Sequence, residues 1–247
     1  MNWMARMVQY PAEQGMVAVV MRGEVRTGKG TLGHALRRLF GQHGLHISSS
    51  VHLTGKHNHH LRDCVVLFMD EAFFAGDKAH VGILKALITE PVLTVEKKYN
   101  DAVQAPNYLH IIMASNSDWV VPAEIGEERY FCLDVSSERR GDHPYFKAIQ
   151  DELDNGGYQA MLDELLNRDI SKFEVRDVPQ TRALQDQQKQ SLDTKTAWWL
   201  DVLSRGYVYK SKLGLEEHFS EWHEFVTTEV LYASYSEFAE KRKAAIR

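Results

Sequence analysis

Gly23, Gly28, Lys29, Gly30 and Thr31 stand together in the stretch GEVRTGKGTLGHAL, directly behind the apolar run MVAVVM. Glycines let backbone N–H groups turn toward phosphate oxygens, a lysine can reach the β and γ phosphates, and a helix that follows points its positive end at them. Two features depart from that pattern. The Ser or Thr that usually follows the lysine and binds Mg2+ through its hydroxyl is Gly30, so the role falls to Thr31, and the loop interior carries the bulky Val25 and Arg26. The competing explanation is a tight strand-to-helix turn with no ligand. Asp70 and Glu71 end a second apolar run, CVVLFMDEA. A carboxylate at the carboxyl end of a buried strand beside a phosphate loop can hold Mg2+ through water, and the next carboxylate stands where a general base would orient an attacking water. A third run, LHIIMASN, ends in Ser115-Asn116, whose amide can hydrogen-bond that water or the γ phosphate; taken alone, it is equally a turn opening SNSDW. Three strand ends converging on one crevice point to hydrolysis of a nucleoside triphosphate.

The elements that must position these residues are those of an α/β domain. Strands are expected over Val17 to Met21, Cys64 to Met69, Leu109 to Ala114 and Tyr130 to Val135, each too continuously apolar to leave one face wet, hence a central, mostly parallel sheet flanked by helices. Between them KGTLGHALRRLFGQHG and HVGILKALIT repeat apolar residues at helical spacing. HPYFKAIQDELDNGGYQAMLDELLNRD reads as two helices broken at Asn155-Gly156-Gly157, GKHNHHLRD as a polar helix leading into the acidic strand, and the chain beyond Pro179 as polar and helical. We expect a core over 1–178 and a C-terminal helical segment over 179–247. VLTVE and AVQAPNY read as the flanks of a β-hairpin whose tip exposes Lys97, Lys98 and Tyr99. Paired lysines beside an aromatic ring suit a sugar-phosphate backbone, since Coulomb attraction ignores base sequence and an aromatic face stacks on any base; a solvated turn is the plainer reading.

Composition narrows the classes. With 247 residues, 44% hydrophobic and 26% charged, the chain can bury a sizeable core. No apolar run approaches the roughly 20 residues that span a bilayer, which predicts a soluble, cytoplasmic protein without membrane contact. Cys64 and Cys132 lie in strand-like runs as expected buried thiols, so no zinc is expected, and His57 to His60, without a companion Cys or carboxylate cluster, read as a polar helix and not a metal site. Trp198 and Trp199 read as packing residues. A net charge of −5 excludes a wholly basic nucleic-acid binder but not a narrow positive channel.

The order GxxxxGKGT, apolar-DEA, lysine-bearing hairpin and SN resembles the superfamily 3 helicases of the AAA+ class of P-loop NTPases. More closely, NWMARMVQYP, LITEPVLTVEKKYNDA, MASNSDWVVPA, EERYFCLDVS and QKQSLDTKTAWW look like the D5-like helicase region of phage and mobile-element primase-helicases. That resemblance implies ATP and Mg2+ at Gly28, Lys29, Thr31, Asp70 and Glu71, a sensor at Asn116, and a pore hairpin that tracks single-stranded DNA through Lys97 and Lys98. It also implies a homo-oligomeric, commonly hexameric ring in which one subunit's arginine reaches the next subunit's γ phosphate. Arg129 is the candidate, with Arg139 and Arg140 as alternatives; an ion pair of Arg129 with Glu127 or Glu128 is the structural alternative. The relatives link a primase or polymerase domain to this region, which suggests an excised or trimmed module encoded by a phage or mobile element. Two other classes remain: an AAA+ helicase loader or protein remodeller, and a small-molecule P-loop kinase, for which the sequence lacks an arginine-rich lid.

Overall fold

The computed structural model describes residues 1–49, 51–55, 57–71, 78–208, 210–212, 215–217, 222 and 224–246. Helix α1 (Asn2–Gln9) leads to β1 (Ala18–Arg22), then α2 (Lys29–Leu39), β2 (Gly44–Ile47), α3 (Val51–Thr54), β3 (Val66–Asp70) and α4 (Lys78–Thr89). An antiparallel hairpin, β4 (Val92–Val95) and β5 (Val103–Pro106), precedes β6 (His110–Ser115) and β7 (Tyr130–Asp134). Five strands make one wholly parallel sheet in the order β2-β3-β6-β1-β7. Four of them are the strands expected from the apolar runs, shifted by a residue or two. The fifth, β2, was not expected: Gly44-Leu45-His46-Ile47 is a short edge strand with two of its four residues accessible, so it carries no continuous apolar signal.

Because the strands are parallel and lie in the middle of the fold, residues alternate between two buried faces. Met21, Val66, Phe68, Ile112 and Ala114 face α2 and α1, while Val20, Leu67, Met69, Ile111 and Met113 face the side covered by α4 and the hairpin. Register aligns the strand ends. Met21 is paired with Ala114 and Leu133, and Ala114 with Asp70, so β1, β3, β6 and β7 finish in one row at the same edge.

After β7 come α5 (His143–Glu152) and α6 (Tyr158–Asn167), separated by a kink where Gly156 adopts φ +106°, as the Asn-Gly-Gly break predicts. Asp142 caps α5 by accepting from the Tyr145 amide. The expected polar helix over the histidine stretch is instead a single 3-10 turn, His59–Leu61. Asn58 is drawn out of helical geometry to hold the hairpin, donating to Thr94 O and accepting from the Glu96 amide, both at 2.9 Å. Cys64 and Cys132 are buried free thiols, and burial pushes each up to about 12.

The chain divides after Gln187, within α7 (Arg182–Ser191), into two compact units. The segment 179–187 belongs to the first because Thr181 donates to Cys132 O, Leu184 enters the core, and the Gln187 side chain binds the Val120 and Val121 amides and Asp118 O. The second unit holds α8 (Thr194–Arg205), a small hairpin β8 (Lys210–Lys212) and β9 (Leu215–Glu217), and α9 (Thr228–Ile246). Trp198 packs edge-on against Tyr235 and donates to Ser234 Oγ at 3.0 Å, a packing role as expected. Among the described residues no helix is long and apolar enough to cross a membrane.

Candidate functional site

The turn from β1 into α2 is built around two close approaches. A Cβ on Gly23 would lie 2.9 Å from Val135 O, and Gly28, at φ +88° as the cap of α2, has the Phe146 ring where its side chain would be. Only glycine meets both demands at Gly28. Gly30 differs: a Cβ there meets nothing nearer than 3.7 Å, so packing does not exclude the hydroxyl residue whose place it takes. Thr31 lies in the first turn of α2, its amide bonded to Gly28 O at 3.0 Å.

Lys29 is 7% exposed. Its ammonium donates to Gly23 O at 2.8 Å, Glu24 O at 2.7 Å and Asn116 Oδ1 at 2.7 Å, which uses all three of its donors on neutral oxygens. Among the described residues it forms no ion pair. Burial lowers the Lys29 pKa, while Glu71 and Asp70 act in the opposite sense. A desolvated cation held only by dipoles leaves the loop with a positive charge to be met, and that donor set fits a phosphate.

Asp70 is half-exposed at the end of β3, with Oδ2 4.0 Å from His46 Nε2. Glu71 adopts φ +54°, which turns the chain off the strand and aims its carboxylate along the sheet edge. There Oε2 accepts from Ser115 Oγ at 2.9 Å and Oε1 from the Asn116 amide at 2.6 Å. Lys29, Asn116 and Glu71 thus form one chain of contacts across the ends of β1, β6 and β3. Asp70 and Thr31 are on the same edge and are the oxygen donors suited to Mg2+.

The arginines separate. Arg129 precedes β7, at the opposite edge of the sheet, and its guanidinium grips the buried Glu127 carboxylate at 2.7 and 2.9 Å. Arg140 pairs with Glu24 of the loop, and Arg139 lies over the Tyr145 ring at 5.0 Å. Gly141 donates to Arg26 O at 3.0 Å, tying this segment to the loop. The result is a cavity of about 420 Å³ beside Thr27, Gly28 and Thr31, walled by Arg139, Tyr145 and Phe146. Sequence reasoning missed these two aromatics, because long-range ties at Arg26 and Glu24 bring the start of α5 over the loop. Lys97, Lys98 and Tyr99 lie on the tip between β4 and β5, all exposed. Tyr99 is 90% exposed at φ +68°, with Lys98 Nζ 4.9 Å from its ring centre.

Comparison with known proteins fits this arrangement. Residues 21–140, which include the candidate residues from Gly23 to Arg140 but not Tyr145 or Phe146, match a model described as a family of unknown function, DUF5906. The chain is 23% identical over 248 residues, 95% of its length, to the DNA primase-polymerase of Nitratiruptor phage NrS-1, and spans 34% of that protein. An apo structure of the NrS-1 C-terminal region superposes with a TM-score of 0.70 at 18% identity, covering 99% of this chain and 60% of that one. A second form gives 0.68 at 21% identity, covering 81% and 51%. The chain is therefore related to the C-terminal region of a phage primase-polymerase and shares its fold.

Proposed function

We propose that the chain is the ATPase core of a replication helicase that moves along single-stranded DNA as a ring. The observation that carries this reading is the buried Lys29 ammonium, held only by neutral oxygens at an edge that also presents Asp70, Glu71 and Asn116. On binding ATP, Lys29 exchanges loop carbonyls and Asn116 Oδ1 for anionic phosphate oxygens. That exchange releases the Asn116 side-chain amide beside the Glu71 carboxylate, where the pair can hold a water for attack on the γ phosphate. Thr31 and Asp70 would hold Mg2+, which neutralises phosphate charge when bound. Arg129 is at the edge away from its own crevice and is engaged in the ion pair with Glu127 that was its structural alternative, so a catalytic role for it would have to be played in a neighbouring subunit of a ring. Lys97, Lys98 and Tyr99 offer charge and a stacking face to a DNA strand.

The experiment is steady-state ATP hydrolysis with and without a single-stranded oligonucleotide, for the parent, Lys29→Ala and the Lys97→Ala/Lys98→Ala pair. The expected outcome is hydrolysis that DNA stimulates, that Lys29→Ala abolishes, and that the hairpin variant retains only at its DNA-independent level. Full DNA stimulation in the hairpin variant would remove the DNA-tracking role, and hydrolysis that survives Lys29→Ala would remove the site.

A further inference from the structure

Phe68 organises a second group of ligands beside the loop. It is fully buried on β3, and β2 places His46 directly opposite it in register, with the two rings stacked 5.3 Å apart at 19°. Asp70 follows two residues along β3 and so projects to the same face of the sheet. On that face α2 comes in so close that a Cβ on Gly33 would lie 2.3 Å from Phe68 Cε2, and the next residue, His34, meets both rings edge-on, 5.0 Å from Phe68 and 4.9 Å from His46. Ring nitrogens of His34 and His46 and a carboxylate oxygen of Asp70 all lie within 4.8 Å of one another. Among the described residues neither imidazole has a hydrogen-bond partner, so their nitrogens are open to a ligand.

We propose that His34, His46 and Asp70 bind a transition-metal dication of the zinc, cobalt or nickel class. Two imidazole nitrogens and one carboxylate are a donor set for such ions, whereas Mg2+ and Ca2+ take oxygen. Metal–ligand bonds of about 2.0–2.2 Å put neighbouring donors about 3.3 Å apart around a tetrahedral ion, so the cluster has to close by up to about 1.5 Å, which rotation of two accessible rings supplies. The three donors come from three elements, α2, β2 and β3, so the bound ion clips the helix carrying Lys29 and Thr31 to the sheet edge. It leaves at least one coordination position for water. Asp70 is shared with the proposed Mg2+ position, so an ion here withdraws that carboxylate from nucleotide hydrolysis; this last consequence rests on the proposed function, while the binding itself does not.

The test is direct binding to the full, tag-free chain stripped of metal, without nucleotide. Co2+ is followed by its visible spectrum and Zn2+ by competition with a chromophoric chelator. One ion should bind with a spectrum that a large excess of Mg2+ leaves unchanged, and His34→Ala and His46→Ala should each weaken it by more than about tenfold. Both side chains are accessible, so circular dichroism should be unaltered. A chain with His57, His59 and His60 all changed to Ala should bind as the parent does. Loss of binding in that control with retention in His46→Ala would assign the ion to the histidine turn and overturn the proposal, as would displacement by Mg2+ or no binding at all. Because no hydrolysis is measured, failure of the ATPase reading leaves this result standing, and the reverse also holds.

Discussion

Gly28→Ala probes how the loop between β1 and α2 is held. The cap residue is at φ +88°, and the added methyl would fall 2.3 Å from Phe146 Cε1 and 2.8 Å from Cζ. Two costs add. A left-handed backbone disfavours an L side chain by about 1–2 kcal/mol. Displacing a ring that is half-buried and confined by Tyr145 costs about 1–3 kcal/mol. The first unit should therefore lose about 2–5 kcal/mol, a large part of the ~5–15 kcal/mol that holds an ordinary domain. Hydrogen exchange of the β1 and β6 amides reads that loss, because they lie in the innermost strands and open with the unit as a whole. Phe146→Ala separates the two costs: in its background Gly28→Ala retains only the backbone part, and the cycle shows a coupling of about 1–3 kcal/mol. A coupling near zero would refute the ring-over-loop contact, and unchanged exchange in the single variant would refute both terms. The outcome bears on function because Phe146 walls the cavity beside the loop.

Two more perturbations test the surroundings of the site. Asn58→Ala removes its side-chain bonds to Thr94 of β4 and to the Glu96 amide just beyond it, worth about 1–3 kcal/mol together, and should speed exchange of the Glu96 amide by about tenfold or more while leaving β1 and β6 unchanged; unaltered exchange would mean that the hairpin is held without it. His110, 1% exposed on β6, is held neutral by burial, its pKa lowered from 6.5 to about 4. The unfolded ring takes up a proton below pH 6.5 and the folded one only near 4, so its stabilising contribution is complete above 6.5 and is lost as pH falls through 4. The loss is about 3 kcal/mol, and His110→Phe should flatten that part of the stability curve; an equal slope in the variant would place the acid sensitivity elsewhere.

How much was legible depended on which signals are local. Continuous apolar runs located β1, β3, β6 and β7 because a strand covered on both faces has no polar alternation to confuse with a helix. The same rule hid β2, whose Leu45 and His46 lie partly open at the sheet edge, and hid β8 and β9, which are three residues each and polar. The convergence of Lys29, Asp70 and Asn116 was legible because parallel strands of similar length must end at one edge. The positive φ of Glu71, which turns its carboxylate onto Ser115 and Asn116, was not, since nothing in DEA distinguishes a left-handed glutamate from an extended one. His34 and His46 were invisible for a related reason: they meet only through the register of β2 on β3 and the close approach allowed by Gly33.

The geometry of the sheet also limits what one chain can do. Lys29, Asn116, Asp70 and Glu71 stand at the carboxyl ends of parallel strands, whereas Arg129 stands at the amino end of β7. A five-residue strand is about 16 Å long, so the arginine and the β1–α2 loop of one chain are at opposite ends of the strands. Its pairing with Glu127, buried to 4% side-chain exposure, keeps the guanidinium ordered there. An arginine fixed in that way cannot reach its own loop while the fold is intact, and leaving Glu127 would strand a buried carboxylate. Arg139 and Arg140, tied to the loop through Tyr145 and Glu24, are the arginines of the chain's own crevice. The placement of the three therefore follows from strand direction: Arg139 and Arg140 lie beside the loop and its cavity, and Arg129 lies at the other end of the sheet.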